Sequence, residues 1–333
     1  MERKRESTMA TLKDVAERAG ITVTTVSRVL NDRGYISQQT REKVYQAMKD
    51  LNYQPNEAAR SLSKKRMQVI GVIVPSVMHP FFSKVVNYLE YYASLNRYKI
   101  MLCNSFHQAD KEAEYLEMLR SNKVSGIVLC SRTEETEAFS QLDMPLITFE
   151  RSIAGDIPFV GCDNYQGGQL ATEHLYGKGC RNLAHIGGTI EVPMPADARQ
   201  QGFLDTCARY GLQGTVFNTC EAQFEAMEYQ EYIVKILREN PQFDGIFASS
   251  DVIAAQVLQA CAQLGIRVPG DLKLVGFDDV EVASLTTPTI TTIRQPVEEM
   301  CHYAVTNILN KLEQKVIPNK TVLPVQLIER ETT

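Results

Sequence analysis

Thr11-Leu12-Lys13-Asp14-Val15-Ala16-Glu17-Arg18-Ala19-Gly20-Ile21-Thr22-Val23-Thr24-Thr25-Val26-Ser27-Arg28-Val29-Leu30 is the stretch that decides how this chain is read. Thr11 followed by Asp14 has the form of a capping box. Leu12, Val15, Ala16 and Ala19 then share one helical face, and Gly20 follows where a left-handed stop is wanted. Ile21 enters the turn, and Thr22 can cap a second helix from Val23 to Leu30. Val26, Val29 and Leu30 turn inward on that helix, leaving Val23, Thr24 and Arg28 outside. Two short helices joined by a tight glycine turn predict a helix-turn-helix, whose second helix enters the major groove of DNA. A third helix is expected from Gln38 to Lys49, capped by Ser37, with Val44, Ala47, Met48 and then Leu51 closing a three-helix core.

The charge is divided along the chain. Residues 1–66 hold 14 Lys/Arg against 8 Asp/Glu, and residues 67–333 hold 21 against 32. A basic head on an acidic body fits a nucleic-acid-binding module joined to a domain of another kind, although basic segments are often only solvated faces. At 333 residues, 44% of them hydrophobic, the chain suits one small and one large domain with a full core. No run of 18 apolar residues occurs, so no membrane span is expected. Met1-Glu2-Arg3-Lys4-Arg5-Glu6 is charged and lacks the apolar region of a signal peptide, which points to the cytoplasm. The eight cysteines form no CxxC pair and the five histidines are scattered, so reduced thiols and neither metal nor cofactor are expected. No GxxxxGK[ST], GxGxxG or GxSxG motif is present, and no enzyme is expected.

From Gln68 strands and helices alternate. Val69–Val74 is a continuous β-branched run, as in a buried parallel strand. A helix near Phe82–Leu95, a strand at Lys99–Asn104, a helix at Lys111–Ser121 and strands at Gly126–Cys130 and Leu146–Glu150 follow. The order then repeats, starting with Leu183–Gly187. Gly245–Ser250 mirrors Gly126–Ser131 at a distance of 119 residues, and Leu274–Asp278 mirrors Leu146–Glu150. A helix over 294–320 and one last strand, Val322–Ile328, are expected at the end. Ligands of parallel α/β sheets bind at the carboxyl ends of the strands, so two facing lobes would place the mirrored Glu150 and Asp278 in one cleft. A carboxylate accepts two hydrogen bonds and so suits vicinal hydroxyls. Asp278 could instead cap a helix or make an Asx-turn, and Asp251 could cap the helix after Ser250.

The string TLKDVAERAGITVTTVSRVLN, together with NYQPNEAARSL at 52–62, resembles the head of the LacI/GalR (lactose-repressor/galactose-repressor) family. The likeness runs on to the last residues, LPVQLIERETT. It implies base contacts from Val23, Thr24 and Arg28, and phosphate contacts from Thr22, Ser27, Asn31 and Tyr35, each of which could otherwise be a surface or capping residue. Arg28 suits the role chemically, since a guanidinium matches guanine O6 and N7. The likeness also implies a hinge that folds only on DNA. Asn56 and Ala59 would touch the minor groove and Leu62 would wedge a base step apart; a plain linker is the alternative. Six or seven residues make no stable helix alone. An effector site of Phe81, Glu150, Arg199, Phe224, Ser250 and Asp278 is implied in the body, with Arg199 alternatively half of an interlobe salt bridge.

The expected architecture is a small all-α helix-turn-helix head at 9–54, a hinge at 55–67 and an α/β body at 68–333 made of two Rossmann-like lobes. Such a body is of the periplasmic-binding-protein kind. The N-lobe is expected at about 68–162 and 294–320, and the C-lobe at about 163–293 and 321–333. The resemblance implies a homodimeric repressor of a sugar-utilisation operon. It would sit on near-palindromic double-stranded operator DNA and leave when a small sugar or sugar phosphate binds between the lobes. The strings MLCNS, EYLEMLRSNKVSGI and HPFF resemble sucrose-operon-type repressors, although Glu150 is longer than the aspartate common there and leaves the sugar open. Nothing after Thr333 supplies a tetramerising heptad tail, so a dimer is expected. Two alternatives stand beside this: a catabolite-control regulator taking a phosphorylated phosphocarrier protein as corepressor, and a sugar-binding protein with no role on DNA.

Overall fold

The computed structural model describes residues 10–30, 34–53, 67–130, 139, 142, 144–151, 153, 157–188 and 193–333. Asn31, Asn56, Ala59 and Leu62 lie outside the described residues. Contacts divide the chain at Met67/Gln68 into two units.

The first unit holds three helices: α1 (Leu12–Ala19), α2 (Val23–Leu30) and α3 (Gln38–Asp50). Both halves of the Thr11/Asp14 capping box form, and Gly20 closes α1 at φ 66°, the left-handed conformation that glycine adopts most easily. Thr22 starts α2 by accepting from the Thr25 amide at 3.2 Å, and Ser37 starts α3 by accepting from Thr40. Val15, Ala16, Val26, Val29, Val44 and Ala47 are buried together as the core. Arg18 donates to Asp50 from Nε and Nη2 at 3.2 and 2.8 Å, tying α1 to α3 at the surface.

The second unit contains two six-stranded sheets of matching construction. The N-lobe sheet uses β1 (Val69–Val74), β2 (Lys99–Asn104), β3 (Gly126–Leu129), β4 (Leu146–Phe149), β5 (Phe159–Cys162) and β11 (Lys320–Leu323). Its order is β11-β5-β4-β3-β1-β2. The C-lobe sheet uses β6 (Leu183–Gly187), β7 (Gly214–Asn218), β8 (Gly245–Ala248), β9 (Lys273–Asp278), β10 (Thr291–Arg294) and β12 (Gln326–Ile328). Its order is β12-β10-β9-β8-β6-β7. All pairings are parallel except β10 with β12. The mirrored strings noticed in the sequence occupy equivalent places, β3 with β8 and β4 with β9.

Helices cover the sheets: α4 (Pro80–Leu95), α5 (Ala109–Ser121), α6 (Asn164–Gly177), α7 (Ala198–Arg209), α8 (Glu221–Ala226), α9 (Gln230–Glu239), α10 (Asp251–Leu264), α11 (Glu281–Leu285) and α12 (Val297–Leu312).

The end of the chain differs from expectation. The segment read as one strand, 322–328, is two. β11 joins β5 in the N-lobe sheet and β12 joins β10 in the C-lobe sheet, with Pro324 between them, where a residue lacking an N–H breaks the ladder. Residues 321–323 therefore belong to the N-lobe sheet, not to the C-lobe where they were expected. The helix expected over 294–320 is the shorter α12, because Arg294 is a strand residue and Pro296 caps the helix.

Gly168 and Gly202 bring α6 and α7 into backbone contact. A Cβ on Gly168 would lie 2.1 Å from the Arg199 carbonyl oxygen, and one on Gly202 would lie 2.2 Å from that of Tyr165. Gly168→Ala is expected to lower stability by about 2–3 kcal/mol, because neither backbone can give way. Gly177→Ala, whose Cβ would meet nothing within 4 Å, is expected to be neutral or to stabilise by about 0.5 kcal/mol. Urea titration of both variants distinguishes them, and equal midpoints would contradict the close approach.

Candidate functional site

In the head, Thr22, Val23, Thr24 and Arg28 are exposed along one side of α2, and Ser27 is half-buried between them. Val23, Thr24, Ser27 and Arg28 line a shallow depression with Leu12 and Gly34. Val23 leaves 43% of its surface in water, although it is apolar and on a helix whose other valines are buried. Thr22 has a local role as well, since its hydroxyl both caps α2 and bonds the Thr25 hydroxyl at 2.9 Å. Tyr35 is fully exposed. Among the described residues Arg28 makes no hydrogen bond or ion pair, so its guanidinium is available to an external acceptor.

In the body, all six sequence-selected residues line one cavity at the carboxyl ends of the parallel strands. Its empty volume is about 890 Å³, open solvent at the mouth included. Glu150 follows β4 at φ 50° and Asp278 ends β9 at φ 107°, so both mirrored acids sit in left-handed backbone. Such backbone is costly for a residue with a Cβ and is concentrated at functional sites.

Arg199, 7% exposed, lies at the start of α7 between them. Its Nε donates to Asn164 Oδ1 at 2.7 Å, its Nη1 donates to the Ser249 carbonyl at 2.7 Å, and Nη1 stands 3.7 Å from Asp278 Oδ1. The guanidinium carbon lies 3.6 Å from the centre of the Phe277 ring, a cation–π arrangement in a dry setting. The ion pair with Asp278 is within the C-lobe, not between lobes. Glu150 accepts from the Cys162 amide at 2.5 Å and from Asn164 Nδ2 at 2.9 Å. Asn164 thus joins Glu150 of the N-lobe to Arg199 of the C-lobe.

Burial pushes both acids up. Glu150 is raised above the usual carboxylate range, with Arg199 and the two hydrogen bonds opposing the rise. Asp278 is raised to about 6 by burial, against the pull of Arg199 and of Gln295, which donates at 2.7 Å. Burial lowers His79 and His185 to about 4, leaving both neutral near pH 7.

The aromatic residues divide. Phe81 is 6% exposed and packs in the core. Phe82 is half-buried beside it, with its ring 5.5 Å from that of His79. Phe224 reaches across from α8, with its ring centre 6.3 Å from His79 and 5.1 Å from His107. The Ser250 hydroxyl caps α10 by accepting from the Ile253 amide at 3.2 Å. Asp251, considered as that cap, is fully buried instead and accepts from the Val280 amide and the Thr292 hydroxyl.

Further polar residues at this cavity were not selected from the sequence, among them His79, Asn164, Asn218 and Gln295. His79, Asn218 and Gln295 line it, and Asn164 braces Glu150 and Arg199. Asn164 and Gln295 stand just past β5 and β10, two four-residue strands that carry no strong pattern. Asn218 closes β7, and its place at a strand's carboxyl end was a usable signal.

Residues 11–56 match the lacI family of bacterial regulatory proteins, and residues 172–333 match the periplasmic binding protein-like domain. Over 98% of its length the chain is 37% identical to the ribose operon repressor of Halalkalibacterium halodurans, 97% of which is covered. The chain belongs to the LacI family. This LacI-family chain is also 37% identical to the sucrose operon repressor of Streptococcus mutans, over 97% of its own length and 99% of that protein's. Both relatives are repressors. The lac repressor dimer bound to operator and the anti-inducer ONPF is 26% identical and matches with a TM-score of 0.85, covering 98% of this chain and 99% of that one. A periplasmic binding protein/LacI regulator from Alkaliphilus metalliredigens, complexed with D-xylulofuranose, is 32% identical, with a TM-score of 0.73 over 80% of this chain and 99% of that one. Among the described residues no helix of the LacI-family chain is long and apolar enough to cross a membrane.

Proposed function

We propose that this protein is a sequence-specific repressor of a sugar-utilisation operon, held on its operator as a homodimer and released by a small sugar or sugar phosphate between the lobes. The observation that carries this is the meeting of Glu150, Arg199 and Asp278 in one buried cleft of a LacI-family chain. Val23, Thr24 and Arg28 read base edges, while Thr22, Ser27, Asn31 and Tyr35 hold phosphates and set register. Asn56, Ala59 and Leu62 of each protomer's hinge enter the minor groove at the centre of a near-palindromic site, in the cytoplasm. The acids take vicinal hydroxyls, Arg199 takes a ring or glycosidic oxygen, and Phe82 and Phe224 cover an apolar sugar face. No catalytic step is assigned to the cleft. The kinship with sucrose and ribose operon repressors favours a free ligand over a phosphocarrier corepressor.

Selection of bound duplexes from random DNA tests the first half. Enrichment of a near-palindrome is expected, and failure to enrich any sequence at fixed salt would refute sequence-specific control.

A pH dependence follows from Asp278. Its folded value of about 6 lies above the ordinary 3.8. Its contribution to folding is therefore largest below pH 3.8 and is lost as pH rises through 6. Ligand binding has the opposite sign, since hydroxyls donate to the ionised form. Sugar affinity is expected to rise between about pH 5 and 7, with proton release on binding near pH 6. Calorimetry in buffers of different ionisation heat reads this, and a flat profile would remove Asp278 from contact with the ligand.

A further inference from the structure

We infer that the cleft selects an uncharged, polyhydroxylated ligand and rejects its phosphate ester; this narrows the proposal above and rests on it. The first ground is the supply of acceptors. Gln295 Nε2 donates to Asp278 Oδ1 at 2.7 Å. A carboxylate can only accept, so the amide nitrogen must face it and Gln295 Oε1 must face away. That oxygen is buried and accepts no hydrogen bond, and Asn218 Oδ1 is in the same condition. A buried acceptor left unmet costs about 1–3 kcal/mol. Sugar hydroxyls bring the donors these oxygens need, whereas a phosphate dianion brings only more acceptors.

The second ground is charge. Glu150 and Asp278 face Arg199 as two carboxylates to one guanidinium. Arg199 Nε and Nη1 are already committed to Asn164 and to the Ser249 carbonyl. Burial keeps His79 and His185 neutral near pH 7, so neither adds a cation. The N-terminus of α10 opens toward the cleft and would ordinarily suit an anion. Here the Ser250 hydroxyl occupies it, and the Asp251 carboxylate is buried in its first turn. An ester carrying a charge of about −1.5 to −2 at pH 7 would be desolvated beside two buried acids.

The test is calorimetric titration of the full chain at pH 7.5 and fixed salt with pentoses, hexoses and disaccharides, each paired with its phosphate ester. D-Ribose with D-ribose 5-phosphate and sucrose with sucrose 6-phosphate are among the pairs. The sugar that binds is expected to bind at least ~100-fold more tightly than its ester, and a large excess of inorganic phosphate is expected not to compete. An ester that binds as tightly as its sugar overturns the selectivity and leaves the sugar site standing. Binding by no member of any pair overturns the sugar site itself.

Discussion

Replacing Arg199 by alanine is expected to leave operator binding nearly unchanged and to abolish its release by sugar. Arg199 is the cation around which the cleft is built: it bonds Asn164 and Ser249, stands beside Asp278 and covers Phe277. Its removal takes a ligand donor away and leaves Glu150 and Asp278, 8% and 3% exposed, without their shared counter-charge. Breaking a buried pair in this way costs about 3–5 kcal/mol. Protonation of Asp278, already raised to about 6, offsets part of that at neutral pH. The body's melting temperature is expected to fall by about 5–10 °C while remaining cooperative. Residues 12–51 pack the head around a core of their own, so the DNA-reading surface stays whole. Operator binding measured with and without saturating sugar checks the prediction. Normal release by sugar in the alanine variant would place the ligand elsewhere.

Arg28→Ala is expected to weaken operator binding by about 10- to 100-fold per half-site, corresponding to about 1–3 kcal/mol for a bidentate base contact. Non-specific DNA should be affected far less. The loss should also be confined to one base pair of each half-site: substituting that pair should cost the wild-type protein much and the variant little. Arg28 is exposed, on the same side of α2 as Val23 and Thr24. Anisotropy titrations against singly substituted operators at fixed salt read the pattern. An equal loss on every sequence would make Arg28 a phosphate contact.

The head was legible because its signals are local. A capping box, a left-handed glycine and a 3.6-residue apolar pattern each act within a few residues, and each specifies the same three helices. The alternating body was legible where strands are long and β-branched, as in Val69–Val74. It was not legible at β5 and β10, and β11 and β12 were read as a single strand, because the place of these strands is set by neighbouring strands and not by their own pattern. Missing β5 and β10 also concealed Asn164 and Gln295, because a side chain at a strand's carboxyl end is found only once the strand is. Glu150 and Asp278 were legible as mirrored acids. Arg199 had no such internal signal and came from family resemblance. What holds it in place is the contact of α6 on α7 through Gly168, a long-range fact. Ser250 and Asp251 carry the reverse lesson: both fit a binding or capping role by type, and only packing assigns the cap to Ser250.

The central claim is that one chain couples a sugar in the cleft to DNA on the head. Coupling of this kind is reciprocal: the factor by which sugar weakens operator binding must equal the factor by which operator weakens sugar binding. The most direct test measures both on the purified dimer at one salt concentration, since affinity for DNA is steeply salt-dependent. Equal factors of at least about tenfold, in the sense of release, are predicted. A sugar that binds in the cleft and leaves operator affinity unchanged would contradict the claim.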